Sequence, residues 1–218
     1  MLLLNYRNFG IRHAFEDLFC RVFFKLFGGI FYLGYTKSLA SESPVAIAGF
    51  SVRKTSPEEL LKLVGTEKSD LTAEFVEYTK NNNIKCLAVF SDSGQVASYG
   101  FYTSDKAPFD CGTQLALFNG MGYYFKVFTL VEFRGKGLLK LLMAGINQEL
   151  RGLGCHTSLG FVHGHNLSSR RGYVKAGFKI TKLMLSYQKD GVLHKVSYLW
   201  PIYTQKPSLK YEIRYCNQ

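Results

Sequence analysis

The sequence predicts an α/β fold built on a mixed sheet. Three observations carry that prediction. Apolar runs of strand length recur along the chain, helix-period stripes fall between some of them, and Gly- and Asn-rich turn signals separate neighbours. The chain has 218 residues, 47% hydrophobic and 15% aromatic. That is enough to bury a core in one domain with an extension, or in two small domains.

Taken in order, residues 1–44 read as an N-terminal aromatic-basic extension and residues 45–218 as the main domain, with Pro44 at the boundary. Within the extension, the apolar run Val22–Tyr35 precedes Ser38-Leu39-Ala40, which loosely imitates a signal-peptide cleavage site. Lys25 interrupts the run, and Glu16 and Asp17 stand where such a signal needs basic residues. The run is also too short to span a bilayer. The expectation is a retained amphipathic helix, packed on the domain or lying on a membrane surface.

Val45–Arg53 reads as a strand. Ser56-Pro57-Glu58-Glu59 then supplies an N-cap, a proline at the first helical position and a glutamate at the third. A second helix is expected from Asp70, with Leu71, Phe75 and Tyr78 on one face, ending in Asn81-Asn82-Asn83. Ile84–Phe90 and Gln95–Tyr102 form strands joined at Asp92-Ser93-Gly94, followed by a loop with Pro108 and Gly112. Met121–Val131 is apolar on both faces apart from Lys126, the pattern of a central strand. Leu138, Leu142, Ile146 and Leu150 repeat every four residues, and Leu139 and Met143 widen the stripe into a helix that Gly152 and Gly154 end. His156–Val162 is a strand, and a short helix runs from Asn166 toward Ala176. Lys179–Gln188 and Val192–Tyr203 close the chain as a hairpin around Asp190-Gly191.

Net charge is +11 and unevenly distributed. Residues 1–40 hold 5 Lys/Arg against 2 Asp/Glu, residues 41–162 balance at 12 against 12, and residues 163–218 hold 10 against 2. The basic C-terminal third suits anionic partners such as a nucleotide or an acidic surface, although most of these lysines read as ordinary solvated charge. The five cysteines, at 20, 86, 111, 155 and 216, form no C-x-x-C pair. That spacing argues against a disulfide framework or a zinc site, so no metal is expected, and it fits a reducing, cytoplasmic compartment.

The stretch 132–142, EFRGKGLLKLL, places two glycines and two cations at the mouth of a helix. Glycine lets backbone approach a ligand closely, and the first N–H groups of a helix have no partner within it. Together with the helix dipole, Arg134 and Lys136 make this a place for phosphate. The spacing is neither a P-loop nor a dinucleotide fingerprint, since Lys140 stands where a third glycine belongs.

About thirty residues on, NLSSRRGYVKAGFKI (166–180) gives Asn, then Ser at +3, Tyr at +7, Lys at +9 and Gly-Phe at +11 and +12. V-x-F-R-G-K-G at 131–137 and N-x-x-S-x-x-x-Y-x-K-x-G-F at 166–178 together resemble motifs A and B of the GNAT N-acyltransferase superfamily. The resemblance covers roughly three-quarters of the chain, from about residue 45 to 203. It implies a mixed, mostly antiparallel central sheet flanked by helices, and acetyl-CoA or another acyl-CoA as donor. It further implies that backbone N–H groups of Gly135, Lys136, Gly137, Leu138 and Leu139, beside Arg134, hold the pyrophosphate. The edge of Thr129, Leu130 and Val131 would pair with the pantetheine arm, with Asn166 and Ser169 on the other side of it. A backbone N–H near Phe128–Leu130 would stabilise the oxyanion.

Tyr173 takes the family's position for the general acid that protonates the departing thiolate. Glu132, His163 and His165 are candidate bases. Two departures stand out. Leu139 replaces a small residue of motif A, and Arg170 and Gly172 replace apolar residues of motif B.

The expected activity is acetyl transfer to a primary amine of a small molecule, such as an amino sugar or nucleotide-linked amino sugar. A longer-chain acyltransferase fed by acyl-CoA or an acyl-carrier protein at a membrane is the alternative that the aromatic-basic extension motivates. A non-catalytic nucleic-acid or ligand-binding module is the alternative from another class, which charge alone supports.

Overall fold

A computed structural model describes residues 11–27, 29–40, 44–65, 69–109, 113–118, 120–189, 192–201 and 211–215. It is a mixed α/β structure whose strands pair mostly antiparallel. By contact density the chain divides into two compact units. One comprises Ser38–Ala107 and Leu117–Leu159, the other Met1–Lys37, Pro108–Ala116 and Gly160–Gln218.

In the first unit the strands run in the order β2 (Phe50–Lys54), β3 (Lys85–Ser91), β4 (Val96–Thr103), β7 (Met121–Thr129) and the start of β8 (Thr157–His163). β2, β3, β4 and β7 pair antiparallel, and β7 pairs with β8 in parallel. β3 is buried on both faces. Cys86, Ala88 and Phe90 join Leu60 of α2 (Pro57–Leu61) and Val76 of α3 (Ala73–Asn81) in one cluster. On the other face, Leu142 and Ile146 of α4 (Leu138–Gly152) lie against Gly100 of β4. This two-sided cover is why β3 and β7 read as continuous apolar runs rather than alternating ones.

Local signals act where expected at α2. The Ser56 side chain accepts from the Glu59 N–H, and the Glu59 carboxylate accepts from the Ser56 N–H. Three readings are corrected. The strand expected from Val45 begins at Phe50, after a turn in which Gly49 takes a positive φ. α3 starts at Ala73 with Thr72 as its cap, two residues past Asp70, because the Thr72 hydroxyl accepts from the Phe75 N–H. The loop after β4 contains two short strands, β5 (Lys106–Pro108) and β6 (Thr113–Leu117).

The second unit holds α1 (Ile11–Phe27), β1 (Gly29–Ser38), the end of β8, α5 (Leu167–Lys175), β9 (Lys179–Lys189) and β10 (Val192–Pro201). Its sheet order is β8, β1, β9, β10, with β9 antiparallel to both its neighbours; β11 (Tyr211–Tyr215) lies beside β6. The extension is therefore not one helix. The helix stops at Phe27 and the chain continues as a strand bonded to β9. Glycine at 28 and 29 weakens the helix there. The following Ile30, Phe31, Tyr32, Tyr35 and Thr36 are the β-branched and aromatic types that fit a pleated, half-buried surface. Among the described residues, no helix is long and apolar enough to cross a membrane. Gly112 and the turn at Asp190-Gly191 lie outside the described residues.

Candidate active site

In the first unit, the candidate residues from Thr129 to Leu139 form one continuous feature. β7 ends at Thr129, Val131–Phe133 make a single 3-10 turn, and α4 begins at Leu138. Gly135 and Gly137 both take left-handed backbone, φ 82° and 77°, which bends the chain into the helix. Gly137 is the N-cap and brings no side-chain cap, so α4 opens with bare N–H groups. No atom lies within 4 Å of the place a Cβ on Gly135 would fill, and the turn is exposed.

The two cations do not project freely. Lys136 Nζ lies 5.2 Å and 5.6 Å from the ring centroids of Phe133 and Phe50. Arg134 sits 5.6 Å from the Phe128 ring and donates from Nε to the Thr129 carbonyl at 3.1 Å. Leu138 is buried and Leu139 half-buried. Val131 and Glu132 stand exposed on the 3-10 turn.

The β7–β8 ladder runs only from Met121↔Thr157 to Tyr123↔Leu159, although β7 continues to Thr129. On its other side β7 stays with β4 to Thr129↔Ser98. That ladder carries a bulge. Tyr99 faces Phe128 and Phe101 faces Phe125, so Lys126 and Val127 together oppose Gly100. Lys126 has φ 46°, a costly conformation for a residue with a side chain. Its ammonium meets Asp70 Oδ2 at 3.1 Å and sits 4.9 Å from the Phe75 ring, while the buried Tyr99 hydroxyl donates to Asp70 Oδ1. Burial, reinforced by Asp70, pushes the Tyr99 hydroxyl far above its ordinary pKa, so it remains a donor.

This cluster was not read from the sequence. The one available signal was a lone lysine in an otherwise apolar strand. Of the oxyanion donors expected near Phe128–Leu130, one is engaged elsewhere. The Leu130 N–H is already spent on the Ala97 carbonyl at 3.0 Å, whereas a bulge leaves backbone at Lys126–Val127 outside the regular ladder.

In the second unit, the end of β8 carries His163, the turn after it His165 and Asn166, and α5 carries Ser169 and Tyr173. Asn166 caps α5, its Oδ1 accepting from the Ser169 N–H at 3.1 Å. That oxygen is therefore committed to the helix, and the amide nitrogen is the part of the side chain left to a ligand. Tyr173 is buried, 4.9 Å from the Tyr35 ring and 5.4 Å from that of Phe178. A Cβ added to Gly160 of β8 would collide with the Tyr173 hydroxyl, so Gly160 is the slot that admits it. His163 is half-buried, 4.6 Å from the Tyr32 ring and 5.3 Å from that of His165. Burial, and then the nearby Arg21, hold the His165 imidazole below its usual pKa, with Asp17 opposing them.

Arg170, the charged departure in motif B, is explained by its neighbours. It donates from Nη1 to Glu16 of α1 and to the Gly164 carbonyl, both at 3.0 Å. A charge there ties α5 to the N-terminal helix.

Residues 51–178 match the model of the acetyltransferase (GNAT) family. The chain belongs to the acetyltransferase (GNAT) family. Solved structures agree on the fold. A GNAT acetyltransferase from Colwellia psychrerythraea superposes with a TM-score of 0.53 at 14% identity, over 72% of this chain and 55% of that one. A GCN5-related N-acetyltransferase from Sphaerobacter thermophilus gives 0.51 at 16% identity, over 71% and 49%. A Drosophila protein gives 0.53 at 14%, over 72% and 50%. The chain thus spans about half the length of these structures, and identities this low show the fold alone. No curated protein matches the chain. The GNAT match starts at residue 51, so α1 and β1 lie outside it.

Proposed function

We propose that the chain transfers an acetyl group from acetyl-CoA to a primary amine of a small molecule. The observation that carries this reading is the combination on β7. The ladder with β8 stops at Tyr123, the bulge at Lys126 loosens backbone beyond it, and the strand leads into a glycine turn and an uncapped helix. Members of the family use acetyl-CoA or another acyl-CoA, and this feature fits such a group. The exposed N–H groups from Gly135 to Leu139 suit a pyrophosphate. The β8-facing side of β7 past Tyr123 suits an extended amide arm. Arg134 has claimed the Thr129 carbonyl, so N–H donors rather than that carbonyl are what this edge offers.

Bound acyl-CoA supplies an activated carbonyl carbon and a thiolate leaving group. The amine nitrogen bonds to that carbon as the C–S bond breaks, and the nitrogen loses one proton. Backbone N–H at Lys126–Val127 stabilises the charge developing on the carbonyl oxygen. Tyr173 gives its hydroxyl proton to the departing sulfur. His165 takes the proton from the amine, directly or through water. Its depressed pKa keeps the imidazole neutral near pH 7 and able to accept. His163 packs on Tyr32 and ranks behind His165, with Glu132 on the 3-10 turn as the other candidate.

The test is calorimetric titration with acetyl-CoA, followed by a screen of amines that begins with amino sugars and nucleotide-linked amino sugars. Tyr173→Phe should keep acetyl-CoA affinity and lower turnover by about 10²-fold or more. Turnover should also fall as pH drops below the ordinary histidine value of 6.5, and His165→Gln should abolish that acid limb. Failure to bind acetyl-CoA would end this reading.

A further inference from the structure

α1 presents an apolar face to solvent. At 100° per residue, Ile11, Phe15, Leu18, Phe19, Val22 and Leu26 fall within about 100° of arc. Each is between 38% and 67% exposed. The opposite side, apart from the half-exposed Phe24, is anchored within the same unit. Asp17 is fully buried and accepts from Arg21 Nε at 2.9 Å. Glu16 accepts from Arg170 of α5 at 3.0 Å. Phe23 packs on Phe31 of β1, with ring centroids 4.9 Å apart, and Cys20 lies against Gly164. Rolling the helix to hide the stripe would break all of these, so the apolar face is held outward.

We propose that this face seats on an anionic lipid surface. Charge decides between occupants. The two acids of α1 are turned to the anchored side, each already paired with an arginine. What borders the stripe in water is cationic: the exposed Lys25, with Arg21, which is paired with Asp17, further round the helix. A second copy docking through the same stripe would bring cationic rims together, whereas lipid phosphates oppose them. α1 does not qualify as a membrane span, so it would lie in the interface plane with its phenyl and aliphatic groups among the acyl chains. Burial of the apolar stripe would supply most of the attachment, and the attraction of Lys25 to anionic headgroups would add a smaller share. This attachment is independent of the acyl-transfer chemistry, and its loss would leave the soluble activity intact.

The experiment is co-sedimentation of the full chain with vesicles of phosphatidylcholine alone and of phosphatidylcholine with phosphatidylserine. Binding is expected on the anionic vesicles and should be about tenfold weaker on neutral ones or at high salt. Phe15 and Leu26 are among the most exposed side chains of the stripe, at 64% and 67%. The double variant Phe15→Glu, Leu26→Glu should therefore keep its melting temperature while losing about tenfold or more of vesicle binding, and Lys25→Glu should fall between. Equal binding by the double variant, or no sedimentation with either vesicle, overturns the proposal. So does a lipid-free dimer that the double variant dissolves, since it would assign the face to a second copy.

Discussion

α4 and α1 are helices of similar length, 15 and 17 residues, and each carries six apolar residues along one side. In α4 those residues (Leu138, Leu141, Leu142, Met143, Ile146 and Leu150) are buried. In α1 the corresponding stripe faces water. Periodicity is the same signal in both. What differs is what stands opposite: α4 lies on strands whose Gly100 and Gly122 leave room for leucine and isoleucine. α1 instead turns inward the side whose acids find partners, Glu16 in Arg170 and the buried Asp17 in Arg21. A helix-period stripe announces a face that will be covered; it does not say whether the cover is the helix's own fold.

The largest expected effect tests the buried half of that contrast. Leu142→Ala removes a fully buried side chain from α4 and should cost about 2–5 kcal/mol in denaturant unfolding. A loss near zero would mean α4 is loosely packed and the contrast is false. Gly137→Val at the start of α4 forces a β-branched residue into φ 77°, a strain of about 1–3 kcal/mol. It should also weaken acetyl-CoA binding, and unchanged affinity would move the pyrophosphate elsewhere.

For α1, the anchored face should respond and the outer face should not. Arg170→Met leaves Glu16 and the Gly164 carbonyl without their donor, and about 1–3 kcal/mol of stability should go with it. Hydrogen exchange in α1 should rise together with that loss, and protection left unchanged would show that the pair does not hold the helix. Phe15→Ser, on the outer face, should shift stability by no more than about 0.5 kcal/mol. A destabilisation as large as that of Leu142→Ala would show the stripe is buried in solution.

Much of the first unit was legible because its signals are local. Ser56 and Glu59 cap α2 from within four residues, Asp92-Ser93-Gly94 turns one strand into the next, and the glycines at 135 and 137 let the backbone turn left-handed on its way into α4. The start of α3 was misplaced because Asp70 and Thr72 are both competent caps. Asp70 is drawn instead to Tyr99 and Lys126, residues distant in sequence. The division of the extension into α1 and β1 was missed for a similar reason. An aromatic, β-branched segment is ambiguous by itself, and β9 supplies the hydrogen bonds that make it a strand.

The sequence by itself determined the element order from β2 to β4 and from β7 to β10, the glycine turn into α4 and the two motifs that point to the GNAT family, since each depends on residues close together along the chain. Only the tertiary structure decided the bulge at Lys126, the Gly160 slot for the Tyr173 hydroxyl, the role of Arg170 and the outward face of α1. Each of these depends on a partner far along the chain, and a residue's spacing in sequence carries no information about which distant group will satisfy its charge, fill its space or take its hydrogen bond.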